Sequence, residues 1–137
     1  MMISCRVFLV VGLATQLSLF TGCFAGSEGS VNGTVTIDGT PVNGLEVIYT
    51  PVDPSLGGEA LAYTQDGGKY SLTRGRGNTT LPKGAYKVTI SVFELDPDLS
   101  IPRVKLGKNY TSIDETELKA DVQAGKNTFD FDLKNSG

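Results

Sequence analysis

The sequence predicts an all-β fold, a seven-stranded antiparallel β-sandwich. Three observations carry that prediction. Short stretches of apolar and polar residues alternate with period two and are rich in β-branched side chains. Turn signals such as Asp38-Gly39 and Asp66-Gly67-Gly68 separate them at short intervals. No stretch of the mature region reads as a convincing helix.

The strands follow in order. Val31, Gly33, Val35 and Ile37 fall on one side of the first, with Asn32, Thr34 and Thr36 on the other. After Asp38-Gly39, Pro41 and Gly44 extend the loop. Leu45, Val47 and Tyr49 then alternate with Glu46 and Thr50 in a second strand. Pro51, Pro54 and Gly57-Gly58 break the chain. Residues 60–65 form a third strand and 69–73 a fourth, with Asp66 shaping the turn between them by local hydrogen bonding. Residues 74–82 read as a polar loop. In the fifth strand Tyr86, Val88, Ile90 and Val92 alternate with Lys87, Thr89 and Ser91. Pro97 and Pro102 exclude a central strand from residues 94–114, an irregular loop with scattered apolar residues. Leu118, Ala120 and Val122 mark the sixth strand, residues 123–127 a turn, and Phe129, Phe131 and Leu133 the seventh. Two sheets that each donate an apolar face to one core are the stable arrangement for such a run.

The first 30 of the 137 residues have a different character. Arg6 is followed by an uncharged stretch that runs to Ser27 and is almost wholly apolar from Val7 to Ala14. A positive start, an apolar stretch and then small residues form a secretory signal. Leu19-Phe20-Thr21-Gly22-Cys23 resembles a bacterial lipobox, with Phe20 where the usual pattern has leucine. That resemblance implies cleavage before Cys23 and a diacylglyceryl group on its sulfur. Two other readings stand beside it: cleavage after Ala25, and an uncleaved membrane span. Gly12, Thr15, Gln16 and Ser18 dilute the latter. The organisation expected is residues 1–22 as a lipoprotein signal peptide, 23–30 as lipidated Cys23 and a flexible tether, and 31–134 as the sandwich domain. The protein would then be lipid-anchored in the cell envelope, its domain in the periplasm or at the cell surface. Phe24 stands where an aspartate marks inner-membrane retention in some bacteria, which points to the outer membrane.

Loss of Arg6 with the signal shifts the net charge from -3 to -4. That mild, spread-out acidity gives no electrostatic reason to expect nucleic acid or an anionic membrane surface as partner. Lipid on Cys23 supplies the membrane link instead. Cys5 and Cys23 are the two cysteines, so the mature domain has no disulfide.

Three segments resemble the carboxypeptidase regulatory-like domains, which share the transthyretin-like, prealbumin-type Greek-key sandwich. Gly33-Thr34-Val35-Thr36-Ile37-Asp38-Gly39-Thr40-Pro41-Val42-Asn43-Gly44-Leu45-Glu46-Val47 resembles their opening. Thr64, Gly68 and Tyr70 match their Thr-x-x-x-Gly-x-Tyr turn, with Gln65 where the family often has an acid. Pro82-Lys83-Gly84-Ala85-Tyr86-Lys87-Val88 resembles their Pro-x-Gly-x-Tyr-x-Val strand entry. Tyr70 and Tyr86 share the parity of core residues, so both are expected to be core residues with a polar tip. The fold hosts many roles, so the resemblance informs structure more than activity.

The chain has no histidine. That excludes a Ser-His-Asp triad, a Cys-His pair and histidine metal sites. Hydroxyisourate hydrolases share the transthyretin-like fold and depend on histidines, so their chemistry is excluded too. Gly75-Arg76-Gly77 lacks the Gly-Lys-Ser/Thr ending of a phosphate loop. Glu94, Asp96 and Asp98, and separately Asp114, Glu115 and Glu117, are acidic clusters without EF-hand spacing. They read as solvated patches. Without tryptophan, Phe93 and Tyr110 beside the long loop are the candidate ligand contacts, weighed against their serving as apolar plugs. The expectation is a non-enzymatic envelope module with a binding or structural role, needing no cofactor and partnered by an envelope protein or a glycan. The alternatives are glycan binding, a hydrolase using two carboxylates, and a structural component assembling by strand pairing.

Overall fold

The computed structural model describes residues 27–93 and 104–136. The signal segment, Cys23 and the acidic group Glu94, Asp96 and Asp98 lie outside them. Within these residues the chain is all-β, with two sheets around one core. Its strands are β1 (Glu28–Ile37), β2 (Thr40–Pro41), β3 (Leu45–Pro51), β4 (Ala60–Tyr63), β5 (Lys69–Ser71), β6 (Thr73–Arg74), β7 (Leu81–Pro82), β8 (Gly84–Val92), β9 (Lys119–Val122), β10 (Gly125–Thr128) and β11 (Phe131–Leu133). One helical turn, α1 (Lys108–Thr111), precedes β9.

The first sheet is built on β1. On one side it pairs antiparallel with β7, β5 and β2 in turn, and on the other it pairs with β10 and β11. The second sheet is antiparallel throughout, in the order β6-β4-β3-β8-β9. Period-two alternation places Val31, Val35 and Ile37 of β1 in one core with Leu45, Val47 and Tyr49 of β3 and Tyr86, Val88 and Ile90 of β8. Each such side chain contributes about 1.5–3 kcal/mol by leaving water. Tyr70 and Tyr86 are buried as their parity predicts, and both hydroxyls are bonded, to the Phe129 and Pro82 carbonyls respectively.

Several expectations are corrected. The strands are not all antiparallel: β10 and β11 run parallel to β1. The cause is connectivity. β9 runs opposite to β8 in the second sheet, and the chain then crosses to the first sheet and leaves in the direction of β1. The supposed turn at 123–127 is mostly β10. The first strand begins at Glu28, so the last three residues of the expected flexible tether are ordered in the sheet. Gly29 permits this, because a Cβ there would lie 2.0 Å from the Gln123 carbonyl oxygen. The polar loop at 74–82 contains β7, and the fourth strand divides into β5 and β6, which belong to different sheets. Asp66 adopts φ 52°, but the N–H groups of its turn are held by Asn43, whose Oδ1 accepts from Gly67 at 3.2 Å and Gly68 at 2.8 Å.

Asp132 holds the Asp38-Gly39 turn against β11. Its Oδ1 accepts from the Thr36 hydroxyl at 2.8 Å and the Gly39 N–H at 3.1 Å. These bonds, the Thr36 hydroxyl first, hold the Asp132 carboxyl below the usual carboxylate range. A folded-state pKa below the unfolded one adds stability above the unfolded value of about 3.9, and that stability is lost as pH falls through the folded value. Asp132→Asn should therefore flatten the acid limb. Its melting temperature, followed by circular dichroism, should fall less than the wild type's between about pH 5 and pH 2.

Candidate functional site

Among the described residues, a cleft of about 500 Å³ opens where the hairpin of β4, β5 and β6 comes apart. The hairpin keeps one register along its length. Gln65 pairs with Lys69 at its tip, and Leu61 and Ala60 pair with Thr73 and Arg74 at its base. Between these points Tyr63 should face Ser71, and that pair is missing from the ladder. The reason lies in β5, which leans away to pair with β1 through Gly33 and Tyr70. Leu72, buried at the crossing, carries the strand back to the second sheet as β6.

Backbone polarity at the opening follows from the neighbouring bonds. The Thr64 N–H donates to the Leu45 carbonyl, so the amide groups of Ala62 and Thr64 face β3 and those of Tyr63 face the cleft. The Leu72 N–H donates to the Val31 carbonyl, so those of Ser71 face the cleft from the other wall. The cleft therefore offers main-chain donors and acceptors on two sides. Lys69 and Asp66 sit at its tip, and Tyr63 forms its rim. Paired residues above and below pin the opening, so it admits a small polar group or water but not an extended chain.

Beneath the cleft lies a run of bonded hydroxyls. Tyr70 Oη donates to the Phe129 carbonyl at 2.6 Å and stands 2.9 Å from Tyr49 Oη, which is left as the donor in that pair. The Phe129 carbonyl is available because the ladder beside β1 is interrupted there. Asp130 Oδ1, not a backbone oxygen, accepts from the Thr34 N–H at 2.8 Å. Burial, above all, pushes the Tyr49 phenol far up, and the neighbouring Tyr70 adds to it. Burial likewise raises Tyr70, against the lowering effect of its bond to Tyr49. Both phenols stay protonated at any physiological pH, so neither serves as a general base or an anionic nucleophile. Ser71 and Thr73, the aliphatic hydroxyls on the cleft wall, belong to a chain without histidine.

The structure places the two aromatic candidates in different settings. Phe93 is half-buried, its N–H bonded to the Gly44 carbonyl and its ring 4.8 Å from that of Tyr63, with the planes tilted by 41°. It thus supports the rim of the cleft. Tyr110 lies in α1, packed against the core, and its hydroxyl accepts from the Lys134 N–H at 3.3 Å. Sequence reasoning missed Tyr63, which is 41 % exposed. The signal was there: Leu61 and Tyr63 hold the outward parity of a strand whose other face is Ala60 and Ala62. Asp114, Glu115 and Glu117 are exposed. Among the described residues no three acidic, histidine or cysteine side chains come together to hold a metal ion.

No protein-family model matches the chain, and no curated protein matches it either.

Proposed function

We propose that this protein is a lipid-anchored module of the bacterial cell envelope, with a non-catalytic binding or structural role and a transthyretin-like, carboxypeptidase regulatory-like sandwich. One observation carries the reading. Cys23 stands in a lipobox-like setting within the uncharged stretch that follows Arg6, and strand β1 begins only five residues later. An acylated cysteine needs no basic patch to reach a membrane. The domain it holds has a cysteine-free core made of two sheets, with no need of a disulfide. The binding role falls to the cleft and its Tyr63–Phe93 rim, where backbone amides and one aromatic face suit a small polar ligand or the tip of a partner.

Mass spectrometry of the protein extracted from membranes tests this directly. The expected N-terminal peptide starts at Cys23 and carries a diacylglyceryl adduct, and Cys23→Ser should move the protein from the membrane to the soluble fraction. An N-terminus at Gly26, or a chain that retains Met1, overturns the reading.

A further inference from the structure

The described charges are unevenly distributed along the sandwich. Strand β1 defines a near end at Glu28 and a far end at Ile37. The pairings place the starts of β8 and β10, the ends of β3, β6 and β9, and the loops at 52–59 and 75–80 near the first of these. That half carries six cations, Arg74, Arg76, Lys83, Lys87, Lys119 and Lys126, against four acids, Glu28, Asp53, Glu59 and Asp121. The far half carries the remaining four lysines against eight acids, among them Asp38, Asp66, Glu115 and Asp132. The modest overall acidity thus hides a dipole. Arg74 is matched by Glu28 at 3.2 Å, while Arg76, Lys83 and Lys126 are exposed. Val52, 57 % exposed, projects from the same end.

We infer that this near end is a membrane-contact surface, which rests against anionic lipid headgroups and turns the cleft rim and the acidic end outward. The inference rests on the proposed anchor at Cys23, and the tether length commits it to a bilayer. Five residue steps from Cys23 to Glu28 span at most about 17 Å when fully extended. Because Glu28–Ser30 are held in the sheet, the tether has no further slack to give. The tether therefore keeps Glu28, and the near end with it, within reach of the headgroups. In the layer of about 8 Å next to an anionic surface, basic side chains are attracted and acidic ones repelled. Lys83 stands foremost, since its N–H donates to the Ser27 carbonyl where the tether enters the fold. The charge distribution supplies what net charge alone does not, a reason for one end to face an anionic surface.

Amine footprinting tests the orientation without altering the domain. The chain from Cys23 onward contains the whole described fold. Coupling its Cys23 thiol to a maleimide phospholipid in vesicles supplies the anchor whether or not cells lipidate it. Lysines are then acylated briefly and read by mass spectrometry, on vesicles of phosphatidylcholine alone and on vesicles containing phosphatidylglycerol. Lys83 and Lys126 should lose several-fold in reactivity on the anionic vesicles and recover in high salt, while Lys105, Lys108 and Lys134 should not change. Equal protection at both ends, or none, overturns the proposed surface. Failure of the anchor itself is read separately, from the mass of the native N-terminus.

Discussion

Replacing Gly33 with alanine should destabilise the domain by about 3 kcal/mol or more, among the largest losses a single methyl can cause here. Gly33 sits mid-way along β1, buried and strand-paired on one side with Tyr70. A Cβ at this position would lie 1.8 Å from the Phe129 carbonyl oxygen and 2.9 Å from Tyr70 Cε1. The first obstacle is backbone and cannot rotate away. Moving it would stretch the Phe129 N–H bond to the Asn32 carbonyl and the Tyr70 hydroxyl bond to Phe129. The second obstacle is a ring wedged in the core. Urea unfolding should show a lower midpoint with an unchanged slope. Gly58→Ala is the control: nothing lies within 4 Å of a Cβ there, so its change should stay within about 0.5 kcal/mol. Equal behaviour of the two variants would mean that the close approach of Phe129 to β1 is not a feature of the folded protein.

The same residue shows what could be read from the sequence and what could not. Gly33 holds core parity with Val31, Val35 and Ile37, so its burial was legible. Its purpose was not, because the group it accommodates is 96 residues away, in the break between β10 and β11, two strands whose direction alternation cannot reveal. Period two reports which side chains face inward, and it did so correctly for Tyr49, Tyr86 and Leu133. It is silent on partners. That is why the parallel pairing of β10 with β1, the extension of β1 to Glu28 and the division of 69–74 between two sheets all came from the structure. The cleft was hidden for the same reason. Its walls are the hairpin that sequence predicts, and its opening arises only because β5 has a better partner in β1.

Asn127 carries the second large effect, and through a different kind of interaction. Its side chain is 9 % exposed and fully bonded. Oδ1 accepts from the Gln123 N–H at 2.9 Å, and Nδ2 donates to the carbonyls of Ser30, Gln123 and Gly125 at 3.1, 2.8 and 3.3 Å. One amide thus ties β10 to β1 and closes the crossing from β9, where the backbone cannot satisfy itself. Asn127→Ala would leave one part-buried donor and three part-buried carbonyls without this partner, at up to about 1–3 kcal/mol for each that water does not reach. A loss of about 3 kcal/mol follows once partial relaxation and water entry are allowed for. Asn127→Asp preserves the shape but replaces the donor with oxygen facing three carbonyls. At neutral pH it should be no better than alanine, and it should recover in acid, where a protonated carboxyl can donate one bond. Hydrogen exchange separates this mechanism from simple loss of packing. The Gln123 amide should exchange markedly faster in Asn127→Ala, while amides in the β3–β8 ladder keep their order of protection. A loss below about 1 kcal/mol with Gln123 still protected would mean that water replaces the side chain at the crossing, and that the parallel pairing of β10 with β1 is held by the ladder alone.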